Sequence, residues 1–490
     1  MDRCRQFFAT LAPALLAAAL AGCADMGNIR PQAQLLEADR LAAGIPSASA
    51  MQAQWPQARW WESYADPQLD ALIAKSLSDN PGLHIAAARV RQAQAVATMA
   101  EGATLPGVGF SASATRQLFS QNDFIPPPQA GNYDWYNRSV VDASYDLDLW
   151  GRNRGALSAA LDEARVAEAE AQMARLALEN TIVRSYVQLA LNYALKDIVA
   201  DTLQRRRQAL AITHKRLAAG LATEVEISQL EAELPGLEAR LEQHEENITL
   251  IGRQLAVLSG QGPGAGEAIV RPRLKLDEGE WMQLPSALPA DLIGRRPDVA
   301  SRRWGVAAAG QRIGAAKAAF YPNINLMAFI GFQGLGFARF LSADSAVRGM
   351  GPAVSLPIFD GGRLRGNLGA QTAAYDIAVE SYNETMLGAL QSVSNALTVA
   401  QSQQHQQHLI ESGVATARKA RMLAGKGHAA GLTDYLVVLN SEVTLLREEE
   451  QAALIHARRL ESYAGLMLAL GGGLPSVPQP DIAVPGGVSP

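Results

Sequence analysis

Apolar side chains recur at steps of three and four along most of this chain, and at steps of two in a few short stretches. Residues 156–219 contain neither glycine nor proline. As one helix they would span roughly 95 Å. After Gly220 an apolar seam runs through Ile227, Leu230, Leu234, Leu237, Leu241, Ile248, Ile251, Leu255 and Leu258, with His244 in its one gap. That heptad spacing predicts left-handed coiled-coil packing, loosened or bent where Pro235-Gly236 interrupts it. A second seam follows Leu436, Leu439, Val443, Leu446, Ala453, Ala457, Leu460, Ala464 and Met467, with Glu450 at the remaining position. Shorter helices are expected to start at Asn80-Pro81 and near Arg296-Pro297, where proline suits the first helical position.

The period changes to two from Val141 to Leu149. Val141, Ala143, Tyr145, Leu147 and Leu149 share one face, and Asp142, Ser144, Asp146 and Asp148 the other. An apolar face backed by a polar one fits a membrane β-strand beside a wet lumen. Val108, Phe110, Ala112 and Ala114 predict its partner. Ile324, Leu326, Ala328, Ile330 and Phe332 form a third strand, and Val354, Leu356 and Ile358 a weaker fourth. Singly, each also fits an amphipathic strand of a soluble sheet.

The two halves repeat each other. Leu147 to Gly260 shifted by 211 positions falls on Ile358 to Gly471 without a gap, bringing Gly151-Arg152 onto Gly362-Arg363 and Gly220-Leu221 onto Gly431-Leu432. Upstream, Pro81 and Pro106 fall on Pro297 and Pro322 at a shift of 216. One supersecondary unit is therefore used twice. The fold class expected is mixed and mainly α, with long coiled-coil helices, four membrane strands and an internal duplication. Four strands cannot close a barrel in lipid, and open edges there leave backbone groups unsatisfied, so several chains must share one barrel. The expected division is a signal peptide over 1–22, a lead-in over 23–60, a first repeat over 61–275, a second over 276–472 and a mobile tail over 473–490.

Arg3 and Arg5 precede the apolar run Phe7 to Leu20, which meets Leu20-Ala21-Gly22-Cys23. The run is too short to span a bilayer and reads as a secretory signal. The four residues at its end resemble the bacterial lipobox, which implies lipidation of Cys23 at the start of the mature chain. Ala24, rather than aspartate, follows it, and the resemblance then points to the outer membrane. With Cys4 removed, one cysteine remains and no intrachain disulfide can form. The 490 residues carry a formal net charge of -5, which argues against a nucleic-acid partner. No Walker A pattern, His-Glu-x-x-His or nucleophile elbow occurs, so no enzyme and no cofactor are expected. His405 and His408 share a helical face but read as solvated rather than as a metal site. Arg205-Arg206-Arg207 and Glu448-Glu449-Glu450 read as solvated faces.

Several motifs in order resemble the TolC/OprM (NodT) family of outer-membrane efflux lipoproteins. They are Trp60-Trp61, Asp66-Pro67-x-Leu69, Asn80-Pro81, Tyr145-Asp146-Leu147-Asp148-Leu149-Trp150-Gly151-Arg152, Arg295-Arg296-Pro297-Asp298-Val299, Ala318-Ala319-Phe320-Tyr321-Pro322 and Leu356-Pro357-Ile358-Phe359-Asp360-Gly361-Gly362-Arg363. The resemblance implies a homotrimer, a 12-stranded barrel in outer-membrane lipid continuing into a periplasmic α-barrel of 12 helices. It also implies a passive exit duct for drugs or other small toxic compounds. A periplasmic adaptor (membrane fusion) protein and an inner-membrane pump of RND or MFS type are the implied partners. Arg216, Leu217, Gly220 and Gly431 match the turn that meets the adaptor, with Gly427 and His428 replacing the Arg-Leu pair in the second copy. Thr223 or Thr433 suits the next helix cap. Asp434 is the nearest match to an acidic gate, or else a helix-start residue favoured by the dipole. One-step secretion of polypeptides and a non-channel coiled-coil structural lipoprotein remain as alternatives.

Overall fold

The computed structural model describes residues 26–36, 56–276, 296–473 and 480. The signal peptide, Cys23, most of the lead-in and nearly all of the tail lie outside the described residues. A 3-10 turn over Trp60–Tyr64 leads into α1 (Pro67–Asp79) and α2 (Pro81–Gly102). Strands β1 (Gly107–Leu118) and β2 (Tyr133–Asp146) follow, then the long helix α3 (Arg152–Ala218) and α4 (Glu224–Leu258). The second half repeats the pattern with α5 (Pro297–Ala318), β3 (Asn323–Leu335), β4 (Ala346–Ser355), α6 (Arg363–Ala429) and α7 (Tyr435–Ala469). No described helix is long and apolar enough to cross a membrane.

The four strands form one antiparallel sheet in the order β1-β2-β3-β4. Its register places Phe110 opposite Val141, Val141 opposite Ile330, and Ala328 opposite Met350. Because side chains alternate across a pleat, one mainly apolar face runs over all four strands, with Arg348 of β4 opposite Ile330 as a charged member. The other face is mixed, carrying Gly109, Asp142, Ser144 and Asn325 together with Met327 and Phe329. Gly331 is required where β3 meets β2, since a Cβ there would lie 2.1 Å from the Ser139 carbonyl oxygen. Pro352 sits in β4, an edge strand within the chain, where a missing N–H is tolerated.

The helices keep the order of the strands. Beneath the sheet α2 packs on α3, α3 on α5 and α5 on α6; further down, α4 packs on α3, and α7 lies between α3 and α6. The short helices stack end to end, and the duplication joins them in the same way twice. Asn80 at the start of α2 donates from Nδ2 to the Leu258 carbonyl at the end of α4, 2.8 Å away. Arg296 at the start of α5 donates to the Ala469 carbonyl at the end of α7, also 2.8 Å. The described residues of each chain thus form four helical columns, α2/α4, α3, α5/α7 and α6. The outer columns continue the sheet edges β1 and β4.

The core explains which seams hold. Every member of the α4 seam is buried or half-buried against α3, and α4 runs through Pro235 without a break. The second seam differs from the expected one. Leu436 and Val443 are exposed, whereas Val438 and Leu445 are buried. Helix α7 packs on both α3 and α6, so its buried face is wider than one seam. It includes Val438 and Leu445, the 211-shifted equivalents of Ile227 and Leu234. Midway along the columns, Trp60, Trp61 and Tyr64 form a core with Tyr186 of α3 and Tyr463 of α7.

Candidate functional site

At the far end from the sheet, both hairpins turn on the same backbone device. Gly220 and Gly431 have φ of 70° and 72°. The Leu221 N–H reaches back to the Arg216 carbonyl at 2.7 Å and the Gly220 N–H to that of Leu217 at 2.9 Å. Leu432 and Gly431 bond to Gly427 and His428 in the same pattern. These are Schellman turns, which place a left-handed residue just past the helix end and satisfy its last carbonyls. Nothing lies within 4 Å of a Cβ built on either glycine, so φ alone demands glycine there.

The side chains then diverge. Thr223 forms a reciprocal capping box with Glu226 at the start of α4. In the second hairpin the cap position is Asp434, not Thr433, and its side chain makes no capping bond. The exposed Asp434 carboxylate is thereby left uncommitted to the helix. The two tips are tied together by a hydrogen bond from Arg216 Nη1 to His428 Nε2. His428 Nδ1 faces the Thr433 carbonyl at 3.2 Å and so donates to it, which leaves Nε2 as the acceptor. Tyr435 meets the His428 ring edge-on at 5.2 Å. Arg216, Leu217, Gly220, Gly431 and Asp434 therefore gather at one end. Leu221 and Leu432 beside them are 67% and 81% exposed.

Above the tips lies a charge cluster that the sequence reading missed. Arg206 is not solvated: it is 2% exposed and pairs with Glu233 of α4 and Glu442 of α7, both at 2.9 Å. Glu442 also faces Arg421 of α6 at 3.3 Å. One arginine thus links three helices and joins the hairpins. Burial pushes the nearby Tyr435 phenol up. Glu449 and Glu450 are likewise paired, with Arg418 and Arg240, and not free on a solvated face. The signal that could have exposed Arg206 is its phase, since it falls among the buried positions Val199, Leu203 and Thr213 of α3.

At the other end the expected lumen-facing row is shorter than the alternation suggested. Asp142 and Ser144 lie on the polar face of β2, but the strand ends at Asp146, and Asp148 is outside it. Asp148 takes a left-handed conformation, φ 41°. Its carboxylate accepts from the backbone N–H groups of Asn153 at 3.0 Å and Arg154 at 2.8 Å. Burial pushes this carboxyl up, but those bonds and the Arg154 guanidinium outweigh it and hold it below its ordinary range. Asp146 accepts from Arg152 at 2.8 Å and from the Asp148 N–H. Both acids therefore fix the strand-to-helix junction. Leu149, and Leu356 and Ile358 after β4, also lie beyond the strands. His405 and His408 are exposed, and no group of three or more metal-ligating side chains occurs among the described residues.

Comparison with known proteins agrees with this architecture. The outer membrane efflux protein family model matches residues 72–261 and 288–472. The chain is 47% identical over 370 residues to the fusaric acid resistance protein FusA of Burkholderia cepacia, covering 74% of this chain and 69% of that one. It is 29% identical over 472 residues to the multidrug resistance outer membrane protein MdtP of Shigella flexneri, covering 94% and 95%. The crystal structure of the outer membrane protein VceC from Vibrio cholerae superimposes with a TM-score of 0.81 at 35% identity, over 86% of this chain and all of that one. The outer-membrane channel OprN gives 0.79 at 26% identity, over 91% and 97%. The protein belongs to the outer membrane efflux protein family and is an outer-membrane efflux channel that extends into the periplasm.

Proposed function

We propose that three copies close into a passive duct that carries small toxic organic compounds from an inner-membrane pump to the exterior. The observation that carries this is the pair of open edges. A four-stranded sheet with one mainly apolar face and β1 and β4 edges unpaired among the described residues cannot stand alone in lipid. Three such sheets supply 12 strands, and three sets of four columns supply 12 helices. Aromatic side chains near both ends of the sheet support its placement in the membrane. Trp135 packs with Phe337 at one end. At the other, Trp150 stacks on Tyr321 at 4.5 Å.

The polar sheet face, with Asp142 and Ser144, lines the lumen in this reading. Acylation of Cys23 anchors the chain. Residues 26–36 support this, because they run beside α6 toward the sheet. Leu36 N–H donates to Asn383, Gln32 and Ala33 N–H groups donate to Asp376, and Gly27 lies against Arg365. The Gly27 end of this segment is the one nearest the sheet-to-helix junction. At the opposite end the tip of Arg216, Leu217, Gly220 and Gly431 docks the periplasmic adaptor protein. Three copies of Asp434 form the acidic constriction, since carboxylates freed from capping repel one another and attract cations. Energy comes from a pump of RND or MFS type.

The named relatives support the substrate class, one being a fusaric acid resistance protein and another a multidrug resistance protein. Deleting the gene and exposing cells to a panel of toxic compounds, fusaric acid among them, tests it. Greater accumulation of at least one compound is expected. Unchanged accumulation with loss of secreted polypeptides would instead establish a protein-secretion duct.

A further inference from the structure

The lower halves of the two outer columns each present a second heptad stripe that no described helix covers. On α6 the stripe runs through Val399, Ser402, Gln406, Leu409, Thr416 and Leu423, all exposed. Leu409 is 61% and Leu423 54% exposed. The spacing of three, four and seven is that of a coiled-coil seam, yet α7 packs on the other face of α6, burying Val414, Ala417 and Ala424. On α4 the matching stripe opposite the α3 seam holds Val225, Ser228, Ala232 and Ala239, then Glu242 and Glu246, all exposed. Small residues there let a neighbouring backbone approach, and the α6 leucines supply knobs for the gaps between them.

Charge and height select the occupant. Both helices meet the same tip, because the Arg216–His428 bond holds the two turns together. Helix α4 leaves the tip at Glu224 and α6 enters it at Ala429. At 1.5 Å per residue, Glu246 lies about 33 Å above the tip and His405 about 36 Å. Glu242 and His408 fall between about 27 and 32 Å. The acidic pair of one outer column is therefore level with the histidine pair of the other, while the small stripe of α4 is level with Leu423 and Ala420. Other charges at this height include Glu245 on α4, paired with Lys196 of α3 at 2.8 Å, and Glu411 on α6 and Arg459 on α7, the former accepting from Gln407 and the latter donating to it.

We propose that α4 of one copy seats in the α6 stripe of the next, with Glu242 and Glu246 hydrogen-bonded to His405 and His408 across the seam. This seam is head-to-tail, so it repeats around a closed ring and continues the β1-to-β4 pairing above it. It rests on the trimer reading and adds which faces meet and in what register. It also gives the His-Gln-Gln-His run a task, as the polar clasp of an otherwise small and apolar junction.

The test uses the full-length acylated protein in detergent. A double variant Ala232→Cys with Ala420→Cys is oxidised and run under denaturing conditions beside each single variant, while native mass reports the assembly of every sample. The seam predicts disulfide-linked multimers in the double variant alone, reversed by reductant. A trimer by native mass with no crosslink overturns the register; absence of any trimer in the unmodified protein overturns the reading beneath it. Independently, Glu246→Lys should lower the detergent resistance of the trimer, and adding His405→Glu should restore it. Failure of that rescue in a folded trimer removes the clasp.

Discussion

The two hairpins have one backbone and different side-chain tasks. Under the 211 shift Arg206 corresponds to Ala417, and both are buried. The first copy fills that position with a cation held by two glutamates; the second fills it with a methyl group. Gly220 and Gly431 are interchangeable in conformation, but the caps that follow are not, since Thr223 closes a capping box and Asp434 closes none. Among the described long helices α4 packs chiefly on α3, whereas α7 is wedged between α3 and α6. Duplication preserved what the chain needs to turn. Divergence settled on the side chains that meet neighbouring helices and on the cap that follows each turn.

The largest contrast should come from the buried charge. Arg206→Ala leaves Glu233 and Glu442 facing one another without their shared cation, and loss of a buried pair costs about 3–5 kcal/mol. Arg421→Ala removes a partly exposed partner of Glu442 and should cost about 0–1 kcal/mol. Thermal unfolding of the two purified variants separates them; equal losses would mean that Arg206 is not the joint. The glycines sharpen the opposite side of the comparison. Gly220→Ala and Gly431→Ala should each cost about 1–2 kcal/mol, because both enforce a left-handed L-residue, and a clear difference between them would break the equivalence of the tips.

A smaller effect separates the caps. Thr223→Ala should cost about 1 kcal/mol, while Asp434→Ala should leave stability nearly unchanged. The smallest contrast lies in α3 itself, where Asp162 occupies the position of Ala373 in the other copy. Burial raises the Asp162 carboxyl to about 6, with Glu163 adding to the rise. Its folded form holds the proton more tightly than the unfolded chain, so stability falls as pH rises from about 4 to 6. Asp162→Asn should therefore raise the melting temperature at pH 7 and leave it unchanged near pH 3, read by thermal scans at both values.

Most of the fold was legible because it is written in periods. Heptads marked α4, alternation marked β1, β2 and β3, and the repeat gave the order of elements twice. What the periods could not carry is where a side chain overrides them. Alternation continues through Asp148, but its carboxylate caps α3 and ends the strand two residues earlier. A single seam suits α4, which packs on one long helix among the described residues, and is too narrow for α7, which packs on two. At the tip, glycine and capping chemistry located the turns. Composition hid Arg206, since three consecutive arginines look alike until helical phase distinguishes the one facing inward.

Equivalent backbone positions at the two tips do different work, Thr223 closing a cap and Asp434 closing none, and the proposed role of Asp434 is to face the pore. The most direct measurement is the reversal potential of single channels in a planar bilayer under a potassium chloride gradient. Cation selectivity is expected, lost in Asp434→Asn and retained in Thr223→Ala. An unchanged reversal potential in Asp434→Asn, or an equal loss in both variants, would contradict it.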